Sequence, residues 1–248
     1  MSDQFGNGGE AGPLPVKMQA RLAGLLYLFI IVAGVGAEMA ARSHIVDGAD
    51  AALTARNIVD SSLLYRSSIV AEILMIVCDV GVALLLYEVL KPAGRALSLL
   101  AAFFRLVSVA VSGVKALLLL TPLQLLSGAD YLSGFSSEQL AGFSLLAIKL
   151  HGTAYNISLV FFAFCCFAKG ALIIKARFMP SWLGVLVLIA GACYFVNSFG
   201  FFLAPAFAAS LYPMILMPCL AAELALMLWL LIVGVNEEKW RAQAAGAM

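Results

Sequence analysis

The sequence predicts an all-α polytopic membrane protein: a six-transmembrane-helix bundle with both termini cytoplasmic. Three observations carry this. Of 248 residues, 63% are hydrophobic and only 12% charged, with a mean hydropathy of +1.02, far more apolar than a soluble domain of average usage. The apolar residues collect into six runs of membrane-spanning length. The bases between those runs divide nine to four: Lys17, Arg21, Lys91, Arg95, Lys169, Lys175, Arg177, Lys239 and Arg241 on one side, Arg42, Arg56, Arg66 and Lys149 on the other. By the positive-inside rule the richer side faces the cytoplasm. The expected location is the inner (plasma) membrane, multi-pass, with the lipid bilayer as the first partner.

Residues 1–16 are polar and Gly-rich, with Pro13 and Pro15, the composition of a disordered cytoplasmic tail. Lys17 and Arg21 then lead into a first span at about 20–41. The run with Val35-Gly36-Ala37 also resembles the apolar region and cleavage site of a signal peptide. Its apolar character continues to Ala41, Glu38 apart, and the lead-in is long, so retention is expected. From Arg42 to Arg66 the chain is polar, with Asp50 placed to cap a short helix over 51–59. The second and third spans, about 68–90 and 96–120, flank the basic turn Lys91-Pro92-Ala93-Gly94-Arg95, and Glu88 lies within reach of that turn. After Pro122, Ser136 and Gln139 have capping-box spacing ahead of a fourth span at about 150–173. An unbroken helix from 137 to 173 would be about 55 Å long, so Gly142 and Gly152 are candidate breaks. The fifth and sixth spans, about 182–203 and 214–235, are joined by an uncharged segment with two prolines. Residues 17–240 thus form a single membrane domain, and 241–248 a short cytoplasmic tail. Trp182 and Trp240 fall at the cytoplasmic interface, where amphipathic rings are favoured.

The second and third spans carry acids and bases deep in the apolar run. With the turn centred near residue 93, Glu72 falls opposite about position 114, beside Lys115, and Asp79 opposite about position 107, close to Arg105. Charged side chains in hydrocarbon cost roughly 2.5–3.5 kcal/mol each on insertion scales, so they face the bundle interior and pair. Glu72 and Asp79 share a helix face, while Arg105 and Lys115 differ by about 80° around the wheel, an offset the long lysine stem absorbs. The sequence therefore predicts Asp79 beside Arg105 and Glu72 beside Lys115.

Glu223 lies near the centre of the sixth span. Counting Glu72, Asp79 and Glu223 against Arg105 and Lys115 leaves one deep acid over, and desolvation favours the neutral form of such a carboxyl. As a functional group it would be a protonation switch or substrate anchor at the midplane, where transporters bind. As a structural one it is a protonated carboxyl bonded to Asn197, Ser198 or a backbone carbonyl, or one that shares Arg105 with Asp79; this reading is preferred. Lys149, His151, Tyr155 and Asn156 make a polar start to the fourth span, with His151 and Tyr155 on one face. They line a vestibule or, as preferred, anchor the interface around a hydrogen-bonded histidine.

Several classes fall away. A b-type haem between helices needs two histidines, and His151 is the only one near a span. No His-Glu-x-x-His set, nucleophile elbow or phosphate-binding loop is present. The five cysteines, Cys78, Cys165, Cys166, Cys193 and Cys219, all lie in apolar segments without zinc spacing and read as small core residues. A formal charge of +1 gives no nucleic-acid surface. No cofactor or metal is expected, and no catalytic residue can be named.

The run Ala20-Arg-Leu-Ala-Gly-Leu-Leu-Tyr-Leu-Phe-Ile-Ile-Val-Ala-Gly34, Cys78-Asp79 with Leu84-Leu85-Leu86-Tyr87, Ala101-Ala-Phe-Phe-Arg105-Leu, Leu150-His151-Gly152 and Gly234-Val-Asn-Glu-Glu-Lys-Trp240 together resemble a bacterial integral membrane family, domain of unknown function 4386. The resemblance runs from about Arg21 to Trp240 and implies a six-helix bundle with a retained first span. It implies no activity, substrate or catalytic residue. The function expected from the residues is a non-enzymatic membrane interaction or sensory component, with a membrane protein partner or a second copy of the chain meeting its loops. The alternative is a small-solute or proton-coupled transporter using a midplane acid, ahead of an intramembrane enzyme.

Overall fold

A computed structural model describes residues 14–246, and all its regular structure is helical, with no strand among the described residues. Of the two expected tails, residues 1–13 and 247–248 lie outside the described residues; Val16 already opens the first helix. Among the described residues, six helical segments are long and apolar enough to cross a membrane: Val16–Ile45, Ser62–Ala93, Arg95–Leu125, Ser137–Lys175, Ser181–Leu203 and Met214–Val233.

The first span is α1 (Val16–Gly36), which continues through a π-helical stretch, Ala37–Arg42, into Ser43–Ile45. A short helix, α2 (Ala51–Asp60), follows, capped by the Asp50 carboxylate, which accepts from the Leu53 N–H at 2.8 Å. Its buried face (Thr54, Ala55 and Ile58) sits beside Ile45, Tyr65 and Leu119 at one end of the bundle. The tight hairpin of α3 (Ser62–Leu90) and α4 (Arg95–Leu125) turns at Gly94, with a single 3-10 turn between them. α5 (Ser137–Lys175) begins with the Ser136–Gln139 capping box. It runs 39 residues without interruption, about 58 Å at 1.5 Å per residue. Gly142 and Gly152 do not break it: no other group lies within 4 Å of where their Cβ atoms would be, so nothing forces the chain to turn there. α6 (Ser181–Leu203), the short α7 (Pro205–Leu211), and α8 (Met217–Leu228) with its π-helical extension Trp229–Val233 complete the spans, and α9 (Glu237–Ala245) follows.

Each span packs on its neighbours in sequence, and α8 with its extension returns to α1, closing the six into a ring. Gly234, at φ +74°, stands against Lys17, so the first and last spans start and finish at the same end. The exterior is apolar and the interior charged. Val32, Val77, Leu84 and Leu117 are 61 to 63% exposed, whereas Arg105 and Lys169 are 2% and 1% exposed. Water would penalise that inversion, whereas hydrocarbon favours it, because charges there hide in the bundle. The protein is a multi-pass membrane protein.

Backbones approach closely where α1 meets the extension of α8, a Cβ on Gly24 lying 2.5 Å from the Leu231 nitrogen, and again where α5 crosses α6. A Cβ on Gly184 would lie 2.6 Å from the Gly170 carbonyl oxygen, and one on Gly170 would lie 2.8 Å from the Gly184 oxygen. Backbone cannot yield as a side-chain tip can, and small residues are what allow membrane helices this near. Gly184→Val is expected to force the helices apart and destabilise by about 1–3 kcal/mol, the usual cost of overpacking, while Gly142→Ala, with open space around it, should leave the thermal midpoint in detergent unchanged or raise it. Equal midpoints for wild type and Gly184→Val would contradict this packing.

Candidate functional site

Two groups of buried charge occupy the ring interior. The first lies midway along the spans and is built around Tyr27 of α1. Arg105 on α4 donates from Nε to Asp79 Oδ1 on α3 at 2.7 Å, and Nη2 donates to the same oxygen. Its Nη1 donates to the Tyr27 hydroxyl at 3.1 Å. From α5, Lys169 Nζ donates to the same hydroxyl at 3.1 Å and stands 3.7 Å from Glu223 Oε1 on α8. The Cys166 thiol points at that carboxylate oxygen from 3.9 Å. Both cations also lie over aromatic faces: the Arg105 guanidinium carbon is 4.8 Å from the Tyr27 ring centre and 5.3 Å from that of Phe162, and Lys169 Nζ is 5.5 and 5.4 Å from the same two. The negative ring faces attract the cations without adding charge. Two acids and two bases, drawn from α3, α4, α5 and α8, are thus brought together around one tyrosine.

The second group lies nearer the end opposite the termini and is centred on Glu72. Its Oε2 accepts from Arg42 Nη1 at 3.1 Å. Lys115 Nζ is 2.9 Å and His151 Nε2 is 3.5 Å from Oε1. Arg42 also donates from Nε to Glu38 at 2.8 Å, and Lys115 Nζ stands over the Tyr155 ring at 4.9 Å. Glu72 on α3 thereby joins the π-helical stretch of the first span to α4 and α5.

The geometry therefore brings Asp79 to Arg105 and Glu72 to Lys115 and His151. Two expectations need correction. Lys169 and Arg42, both counted with the loop bases, turn into the interior, so the loop count becomes eight to three and Glu223 no longer lacks a base. Asn197 does not reach Glu223: its side chain donates to Asn156 Oδ1 at 3.1 Å. A lysine with two aromatic faces and a hydroxyl to support it is a stronger partner for a buried carboxylate than a neutral amide, and Asn156 satisfies the amide instead. Tyr27, Phe162, Lys169 and Arg42 are the members of these groups that the sequence did not single out; Glu38, which Arg42 also reaches, is exposed. All five cysteines are free thiols. Among the described residues no group of three or more His, Cys, Asp and Glu side chains is placed to hold a metal ion.

The buried groups lie on helices from one end of the chain to the other, and likeness to known proteins has the same reach: residues 22–234 match the family described as Domain of unknown function (DUF4386). The chain belongs to that family. The match takes in α1 from Leu22, every later span and both buried charge groups, so the DUF4386 unit is the six-helix ring itself. An "Uncharacterized protein" of Archaeoglobus fulgidus is 29% identical over 135 residues, 52% of this chain and 64% of that protein. This chain therefore spans less than two thirds of that relative. No solved structure matches.

Proposed function

We propose that this DUF4386 protein is a non-enzymatic interaction or sensory component of a bacterial plasma membrane, with both termini cytoplasmic, whose paired interior holds six spans in one arrangement while its loops meet a membrane protein partner or a second copy of the chain. The observation that carries the reading is Lys169 beside Glu223. A midplane acid without a base is what a proton-coupled carrier would draw on, and here the three deep acids Glu72, Asp79 and Glu223 each have a cation within 4 Å. Eight loop bases at the terminal end against three at the other support the orientation.

The carrier remains the second reading, favoured by His151 standing 3.5 Å from Glu72 toward the far mouth. Flux in proteoliposomes under a pH gradient separates the two. Proton entry is expected to match that of protein-free vesicles, for wild type and Glu223→Gln alike. Proton entry above that background, abolished by Glu223→Gln, would replace the first reading with the second.

A further inference from the structure

The last helix is strapped beneath the terminal end of the ring. Asn236 accepts from the Lys239 N–H and caps α9. The Trp240 indole donates to the Val89 carbonyl at 2.8 Å, and Gln243 donates to the Lys175 carbonyl at 3.2 Å while accepting from the Arg177 N–H at 2.9 Å. The helix is thus tied to both the α3–α4 and the α5–α6 connections. Between it and the α3–α4 turn lies an open groove of about 830 Å³, lined by Tyr87, Lys91, Gly94, Arg95, Trp240 and Arg241 among others.

Three cations and no acid line this groove. Lys91 pairs with Glu88 and Arg241 with Glu237, both outside the lining, and Arg95 has no ion pair within 4 Å among the described residues. Past the lining, the helix surfaces that continue from it are apolar. One turn further into the membrane from Tyr87 lies Leu84 on α3, and successive turns beyond Arg95 bring Leu99 and Phe103 on α4; all three are exposed. A basic floor at the level of an interfacial tryptophan, opening onto an apolar track, has the shape of a phospholipid: phosphate at the bases, acyl chain along the leucines. Cations near a membrane surface each add about a factor of five in affinity for anionic lipid.

We infer that the groove between α9 and the α3–α4 turn binds an anionic glycerophospholipid, with its headgroup phosphate held by Lys91, Arg95 and Arg241 and an acyl chain lying against Leu84, Leu99 and Phe103. The inference rests on membrane insertion of the ring and not on the proposed function.

Native mass spectrometry of the full chain, released from detergent with phosphatidylglycerol or phosphatidylcholine of identical acyl chains, tests it. Retention of phosphatidylglycerol in clear excess over phosphatidylcholine is expected, and Arg95→Gln/Arg241→Gln should lower that preference on the order of tenfold. Both substituted side chains are exposed, so the fold should persist. Arg56→Gln/Arg66→Gln at the opposite end should leave the preference intact. Equal retention of the two lipids would overturn the site, as would a preference that survives Arg95→Gln/Arg241→Gln or is lost equally in Arg56→Gln/Arg66→Gln. Loss of bound phosphatidylglycerol on adding millimolar inorganic phosphate at constant ionic strength would assign the groove to a soluble anion and overturn the lipid.

Discussion

Arg105→Ala is expected to be among the most damaging single substitutions in the ring, lowering stability on the order of 3–5 kcal/mol, the usual consequence of removing one member of a buried pair. The loss is not of one contact. It leaves the Asp79 carboxylate without its two donors and takes one donor from the Tyr27 hydroxyl. Arg105→Lys should recover part of this, because it restores the charge but not the planar guanidinium whose Nε and Nη2 both donate to Asp79 Oδ1. Exchanging the pair, Asp79→Arg with Arg105→Asp, should be tolerated better than either single change to alanine, and worse than wild type because Tyr27 then loses a donor. Thermal midpoints of purified protein in one detergent give the ranking. Unchanged midpoints for both Arg105→Ala and Asp79→Ala would mean that the hairpin is not organised by this pair.

That pair was legible in the sequence for a physical reason. Only four residues, 91–94, join α3 to α4, so depth in one helix fixes depth in the other, and matching charges could be read by counting outward from the turn. The same reasoning extends to Glu72 and Lys115. It stops where no tight turn sets the register. Tyr27 reaches Arg105 from 78 residues away and Lys169 reaches Tyr27 from 142, contacts created by closure of the ring. Lys169 does carry a signal in sequence: it lies inside the fourth span's own bounds, with Ala171, Leu172, Ile173 and Ile174 still to follow. A lysine so near a span's end ordinarily snorkels to the interface, and only Tyr27, Phe162 and Glu223, on three different helices or turns of helix, make the inward direction favourable. Arg42 was hidden differently. It reads as the first loop residue, yet the π-helical stretch Ala37–Arg42 extends α1 past the apolar run and brings the arginine onto Glu72. The span count, the hairpin and the Asp50 and Ser136 caps are local properties, and the sequence shows them directly. The composition of the central group is a property of the closed ring.

Lys169→Met is the second substitution with a large expected effect, again on the order of 3–5 kcal/mol, because it leaves Glu223 buried without its cation. What distinguishes a pair from two independent core residues is the behaviour of the double change. Replacing both members of a buried ion pair by apolar residues of similar volume is often neutral or stabilising, since neither charge then has to be held away from water. Lys169→Met/Glu223→Leu should therefore return to within about 1 kcal/mol of wild type, although each single change is destabilising, and the cycle should show strong coupling. Tyr27 sharpens the test, since it keeps its bond from Arg105 when Lys169 is gone, so the recovery does not depend on repairing a second defect. Additive losses would mean that Lys169 and Glu223 are not partners. Infrared difference spectra provide a direct check: a carboxylate band present in wild type and missing in Glu223→Gln is expected for the ion pair, whereas a protonated carboxyl band removed by the same substitution would restore the neutral Glu223 read from the sequence.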